Sequence, residues 1–518
     1  MLPPQPAPAH PTSPQPTPRS TPVTTADTSR DADLTVVALR EMLGPDRVET
    51  DPDLLRSLSV DRYKKYAAVH GVYEGPFPVA LARPVSVEQV SRVLAWATEH
   101  GVPVLPRTGG TATEGGLEVV VPDTVILDCS GLDEIVSIDP VDMTATAQCG
   151  VPLARLEDAA REHGLTTGHS PQSQPVAQMG GLVATRSIGQ LSTLYGGIED
   201  MVAGLEAVFP DGHVARIKAV PRRAAGPDPR HLVIGNEGAL CVVTEVTVKL
   251  FAHRPETRRY AGWLVADFAD GAAGLREVMA QGYRPSVARL YSPEDAAQHS
   301  WFTDLVAGPD GKPVRNLVVM ATEGPERVSA ATMAGIEEIF SGEVFEAVED
   351  GVVRDWFENL NWGPEKLEAE KQAMLDRPHV GFTTEVAIGW SGVAELYESV
   401  VRRVREEFDR AEDLTMLGAH SSHSYPDGTN LYFVYDYDVN VEPREELTAY
   451  HLPLNAIVVE EALRLGGSMT HHHGIGKYRT PWTEREHGSA YALLRTLKET
   501  FDPAGIMNPG TIFPLDGA

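Results

Sequence analysis

Cysteine is nearly absent from the 518 residues: there are three, Cys129, Cys149 and Cys241. The count is odd and no two form a C-x-x-C pair. That excludes a disulfide framework and a zinc ribbon, and fits a reducing compartment. The three read as small buried hydrophobes. Basic residues are scarce as well. Lys and Arg total 44 against 73 Asp and Glu, a formal net charge of −29. Such a surface repels nucleic-acid phosphates and anionic lipid. No run of 18 apolar residues occurs, so no transmembrane helix is expected. The N-terminus has no basic and apolar signal pattern, and the expected location is cytoplasmic.

Apolar residues make up 42% and charged residues 23%. These are ordinary globular values, and the length predicts two or more domains, enough to bury a large core without staples. Residues 1–30 are rich in Pro, Thr and Ser and lack apolar periodicity, so a disordered tail is expected there. From about residue 75 the pattern is α/β. Ser86 opens S-x-x-Q with Gln89, a helix start, and Val87, Val90, Val93, Leu94 and Ala97 form one apolar face. Gly101 suits the C-terminal end of that helix. Strands are expected at 102–106, 124–128 and 242–251, and a helix at 152–163. Residues 257–470 alternate strand-like runs (NLVVMATEG, TEVAIGW, NLYFVYDYDV) with helical ones, which predicts an α+β domain with an antiparallel sheet. The pattern divides the chain into 31–256, a second domain at 257–470, and a returning segment at 471–518.

Four stretches carry chemistry. The first is RTGGTATEGG, 107–116, directly after a strand. Glycines let backbone N–H groups converge on an anion without interference from Cβ, so the loop suits a pyrophosphate. It matches neither G-x-G-x-x-G nor G-x-x-x-x-G-K-[ST]. The second is 166–202, a long irregular segment dense in Gly, Ser, Thr and Gln, with His169 and the pair Gly180 and Gly181. The third is GGSMTHHHGIGKYR, 466–479. If it is extended there, His471 and His473 share one face and His472 the other. The fourth is SHSYPDGTNLYFVYDYD, 422–438. In a strand, Tyr432, Val434 and Asp436 share one face, and Leu431, Phe433, Tyr435 and Tyr437 the other. Lys477 and Arg479 follow the histidines closely and read as cations for a carboxylate or phosphate.

These stretches, in this order, resemble the vanillyl-alcohol-oxidase type of FAD-binding flavoproteins, within it the alkyldihydroxyacetonephosphate synthase branch. HHHGIGK and TGHSPQSQPVAQMGGLVATRSIG carry most of the likeness. The resemblance implies a PCMH-type two-subdomain FAD-binding fold plus the α+β cap. It implies noncovalent FAD, since no His stands in the pyrophosphate loop. Pro106, Arg107, Thr108, Gly109, Gly110, Thr111 and Gly115 would hold the pyrophosphate. His169, Ser173, Gly180, Gly181, Thr185, Ser187, Glu237 and Val243 would surround the flavin. Tyr432, His471, His472 and His473 carry over as catalytic residues, and Arg289 and Lys477 as substrate-binding residues. The substrate implied is a small, lipid-like molecule. A homodimer and contact with a membrane surface stay open, although no basic amphipathic helix is evident.

Two departures bear on the substrate. A second family arginine, expected shortly after a Trp, falls at Gly392, which removes part of a phosphate clamp. A flavin-side Thr falls at Gln178. The first functional expectation is a redox-neutral exchange of an acyl group for a fatty alcohol on a keto-phosphate. The alternative is an FAD-linked oxidase or dehydrogenase of an alcohol or 2-hydroxy acid. Relatives of the latter type carry H-x-x-G-D-G-N-x-H as a metal site. Here His423 keeps the first His but the last falls at Tyr432, so no metal is expected.

Overall fold

Ser86 caps its helix as its sequence predicts: the side chain accepts the Gln89 N–H at 3.3 Å, and Gly101 ends the helix at φ +65°. The helix, Val87–His100, buries Val90, Val93, Leu94 and Ala97. This computed structural model describes residues 28–360 and 364–515. Most of the expected disordered tail lies outside the described residues. Its last three positions, 28–30, instead start a helix, Thr28–Leu43, in which Leu39 and Leu43 join the first core.

The first half of the chain forms two small sheets and a two-stranded pair, Leu165–Thr166 with Phe251–Ala252. Val48–Glu49, Ala80–Ala82, Val125–Asp128 and Val104–Arg107 lie side by side in that order, the last three parallel. Ile135–Asp139, Thr144–Gln148, Val242–Lys249, Val202–Val208 and Val214–Ile217 make an antiparallel five-stranded sheet. Between the strands of that sheet runs the irregular segment 166–202. It holds only short helices, Met179–Ala184, Ser192–Tyr195 and Ile198–Met201.

The second half is a seven-stranded antiparallel sheet. Its order is Phe345–Val348, Arg259–Val265, Asn316–Thr322, Val287–Tyr291, Leu414–Ser421, Gly428–Asp438 and His379–Gly389. Helices Phe268–Ala280, Glu326–Ile339, Val393–Glu407 and Leu452–Arg464 supply its hydrophobic cover. Leu431, Phe433, Tyr435 and Tyr437 are buried in that core, whereas Tyr432, Val434 and Asp436 face a cavity. The expected division of this strand into two faces is met, because side chains alternate with period two. The chain then returns to the first half through helix Tyr491–Phe501 and a parallel bridge from Met507 to Val104. Among the described residues no helix is long and apolar enough to cross a membrane.

Candidate active site

Pairing register puts the reactive side chains in one row. Tyr432 lies opposite Glu385 on one neighbouring strand and opposite His420 on the other, and His420 lies opposite Tyr291. Directly paired residues share a face of an antiparallel sheet. Arg289, two residues before Tyr291, is on that same face.

The histidine run is a bend, not a strand. Glu385 causes this. Its buried carboxylate accepts the N–H groups of His471, His472 (3.3 Å) and His473 (2.7 Å), and the Thr470 hydroxyl at 2.8 Å. Three successive N–H groups curled on one anion cannot keep the alternation of a strand. The expected pairing of His471 with His473 is therefore replaced. His472 and His473 both reach the Tyr432 hydroxyl, from Nε2 at 2.5 and 3.3 Å. His471 turns away, places Nε2 3.0 Å from the Tyr425 hydroxyl, and stacks on His423.

Burial would raise the pKa of Glu385. The Arg479 guanidinium at 3.1 Å, aided by the neighbouring imidazoles, overcomes this and holds the carboxyl well below the usual carboxylate range. Arg479 is fully buried and also pairs with Glu114 at 2.8 Å. It is a structural cation rather than an open anion contact. Burial pushes the His472 imidazole well down and the Tyr432 phenol well up. At neutral pH the ring is uncharged and the phenol keeps its proton.

A cavity of about 1000 Å³ runs from the Gly-rich loop to this row. That is the upper end of the range for small-molecule sites. Of the residues expected around FAD, Pro106, Arg107, Thr108, Gly109, Gly110 and Thr111 line it at one end. Ser173, Gly180, Gly181, Thr185 and Ser187 line its middle, with Glu237 and Val243. The N–H groups of residues 108–112 have no acceptor among the described residues. Arg107 Nη1 and Gln178 Oε1 are buried on this wall without a partner there. Free N–H donors and a guanidinium at one end fit a pyrophosphate, and an amide further along fits a polar ring edge. The residues present fit FAD.

Three expected contacts fall elsewhere. His169 lies behind the wall, with Nε2 3.1 Å from the Ser187 hydroxyl, and burial lowers its pKa to about 4. Gly115, at φ +75°, lies under the Tyr478 ring, where a Cβ would stand 2.7 Å from a ring carbon. Lys477 has its three donors on Asn508 Oδ1 (2.9 Å), Thr511 Oγ1 (2.9 Å) and Gly116 O (3.3 Å). It fastens the C-terminal segment to the Gly-rich loop instead of facing substrate. Glu237 does the same from the cavity wall, accepting Ile475 N and Gly476 N at 2.8 Å each. Gly392 stands at a helix start against Ile388, off the cavity wall.

Arg289 is on the wall and 5% exposed. Nη1 donates to the Tyr291 hydroxyl at 2.7 Å and Nη2 to Gln190 Oε1 at 3.1 Å, and Nε has no partner. The guanidinium lies over Trp356 at 5.2 Å. No carboxylate pairs with it among the described residues. A buried cation without a counter-ion is costly unless a ligand brings one.

The residue-level reading missed several groups. Glu385, Gln190 and Asp295 lie far in sequence from the side chains they hold, and no spacing signals them. It also weighed a metal site on His423 and Tyr432 alone. His423, His471 and His472 bring ring nitrogens within 4.8 Å of one another. Ser192 holds His423 Nδ1 at 2.8 Å, and Nδ1 of His471 and of His472 face each other at 2.8 Å. Such a trio could take either a shared proton or a metal ion.

Residues 78–218 match the FAD binding domain model and residues 254–512 the model of FAD linked oxidases, C-terminal domain. The chain is 57% identical over 480 residues to the uncharacterized FAD-linked oxidoreductase YgcU of Escherichia coli (strain K12), covering 92% of this chain and 98% of that one. It is 27% identical over 457 residues to alkyldihydroxyacetonephosphate synthase of Dictyostelium discoideum, covering 84% and 73%. A solved structure of alkyldihydroxyacetonephosphate synthase superposes with a TM-score of 0.72 at 23% identity, over 92% of this chain and 84% of that one, which shows a common fold. FAD is thus the cofactor, the fold is the PCMH type with an α+β cap, and the chain belongs to the FAD-linked oxidoreductases.

Proposed function

We propose that the protein oxidises the carbinol carbon of a small hydroxy compound that carries one carboxylate or phosphate. Arg289 carries this reading. It is a buried, cavity-facing cation whose hydrogen-bond partners among the described residues are neutral oxygens, so a substrate anion is its natural counter-ion. Residues 107–111 would hold the pyrophosphate of a noncovalently bound FAD, and Gly180, Gly181 and Thr185 would flank its ring. When bound, it supplies a two-electron, hydride-accepting ring. Tyr432, kept protonated by burial and backed by His472 and His473, orients the substrate oxygen. Tyr425 and Glu385 fix the histidines from behind.

Gly109 tests the cofactor assignment. A Cβ there would stand 2.7 Å from Val176 O and 3.0 Å from Gln178 N, both backbone atoms that cannot swing aside. Gly109→Ala is expected to fold but to purify with little bound flavin. Its absorbance near 450 nm, measured against wild type, checks this.

A second reading is the redox-neutral exchange of an acyl group for a fatty alcohol on a keto-phosphate. It is supported by the Tyr432 and histidine match and by Val69, Leu367, Met374 and Phe382 on the cavity wall, which would suit an alkyl chain. Anaerobic mixing separates the two. Bleaching of the flavin by a hydroxy acid or phosphorylated alcohol supports oxidation. Exchange of acid for hexadecanol on palmitoyl-dihydroxyacetonephosphate, with the flavin still oxidised, replaces that reading with the transferase.

A further inference from the structure

Oxidation of a carbinol needs a group that takes the hydroxyl proton. The obvious histidines are engaged: His472 and His473 face Tyr432, and His423 faces Ser192. The carboxylates near His473, Glu385 and Glu114, are already paired with Arg479. His420 differs. It ends strand Leu414–Ser421, lines the cavity, and stacks on Tyr432 with ring centroids 4.7 Å apart. Its Nδ1 lies 2.5 Å from Asp295 Oδ2, and Asp295 is 3% exposed. Nε2 has no protein partner among the described residues.

Asp295 reaches this place because residue 418 is glycine. A Cβ on Gly418 would meet Asp295 N at 2.7 Å, so only glycine lets the turn Pro293–Ala296 press onto the strand under His420. The other titratable groups around the pair are Tyr291, with its ring 5.2 Å from His420, Tyr432, His299, His423 and Arg289. Tyr397 also faces Asp295, and Asp436, on the cavity wall, is a second carboxylate that repels it. An imidazole with one nitrogen on a buried carboxylate and the other open to a cavity has the geometry of an oriented general base.

The geometry points to His420, oriented by Asp295, as the acceptor of the substrate hydroxyl proton, an assignment that rests on the oxidation reading above. The O–H proton passes to His420 Nε2 as the C–O bond becomes C=O. The carbinol hydrogen leaves with its electron pair to FAD. Asp295 Oδ2, on Nδ1, steadies the imidazolium until it returns the proton to solvent.

The test uses the full-length, FAD-loaded enzyme in anaerobic stopped flow, with a hydroxy acid or phosphorylated alcohol that bleaches wild type. His420→Gln is expected to slow flavin reduction about 10²- to 10⁴-fold, the usual worth of a general base. Its Kd for an analogue lacking the hydroxyl should be unchanged. Nitrogen-15 imidazole NMR gives a readout that does not depend on turnover. Wild type should show Nδ1 protonated and Nε2 bare at His420, and Asp295→Asn should lose that pattern while keeping bound flavin. Reduction of His420→Gln at the wild-type rate, or a wild-type tautomer protonated at Nε2, overturns the assignment alone. A wild-type flavin that no hydroxy anion bleaches overturns the oxidation reading and the assignment with it.

Discussion

Arg289→Met is expected to cut kcat/KM by roughly 30- to several-thousand-fold while leaving the thermal midpoint unchanged or higher. The two effects have opposite sign for one physical reason. In the free enzyme the guanidinium is buried with only Tyr291 and Gln190 as partners, so its desolvation is not repaid by an ion pair. An apolar side chain of similar length, packed on Trp356, removes that cost. The substrate anion, in contrast, loses its buried partner, a loss of about 2–5 kcal/mol. Arg289→Lys should fall between, because it keeps the charge and loses the two-pronged donor geometry. Steady-state kinetics on any substrate that bleaches the flavin, with a melting curve, provides both readouts. Wild-type efficiency in Arg289→Met would remove the case for an anionic substrate.

Glu385→Gln should have the largest effect on stability. The carboxylate is fully buried and pairs with Arg479 while collecting the N–H groups of the three histidines. A glutamine leaves Arg479 with one paired carboxylate, Glu114, and turns an amide N–H toward backbone donors. Breaking a buried pair on one side costs about 3–5 kcal/mol, which lowers the thermal midpoint by roughly 3–5 °C in a chain of this length. The pH dependence carries its own sign. Folding depresses the pKa of Glu385 below its ordinary value of 4.5. Its contribution is therefore complete above about pH 4.5 and is lost as pH falls through that value toward the folded one. Wild type should lose stability steeply in acid, and Glu385→Gln less steeply. Equal acid slopes in the two proteins would show that Glu385 is not held ionised by the fold.

Local signals were reliable where the physics is local. Ser86, Gln89 and Gly101 fix both ends of one helix through a cap and a left-handed turn. Alternation in 431–437 sorted one strand into core and cavity faces, because two-residue periodicity needs no knowledge of partners. The Gly-rich loop was also legible as a loop, and most of it lines the cavity. The histidine run was misread for an equally plain reason. Its shape comes from Glu385, more than eighty residues away, which bends the run by gathering its N–H groups.

The sequence by itself determined the class of the protein: α/β and α+β patterns follow from periodicity, and the resemblance carried by its motifs implies the FAD-binding fold with its cap. Periodicity and motif are properties of neighbouring residues. Tertiary structure alone decided which groups work together. It removed Lys477 from the cavity by occupying all three of its donors, and left Arg289 there without a carboxylate. It also set His420 between Tyr432 and Asp295, through a strand register and the one close approach that Gly418 permits. Register and approach depend on how distant segments pack, and packing energy is not written in any single stretch of chain.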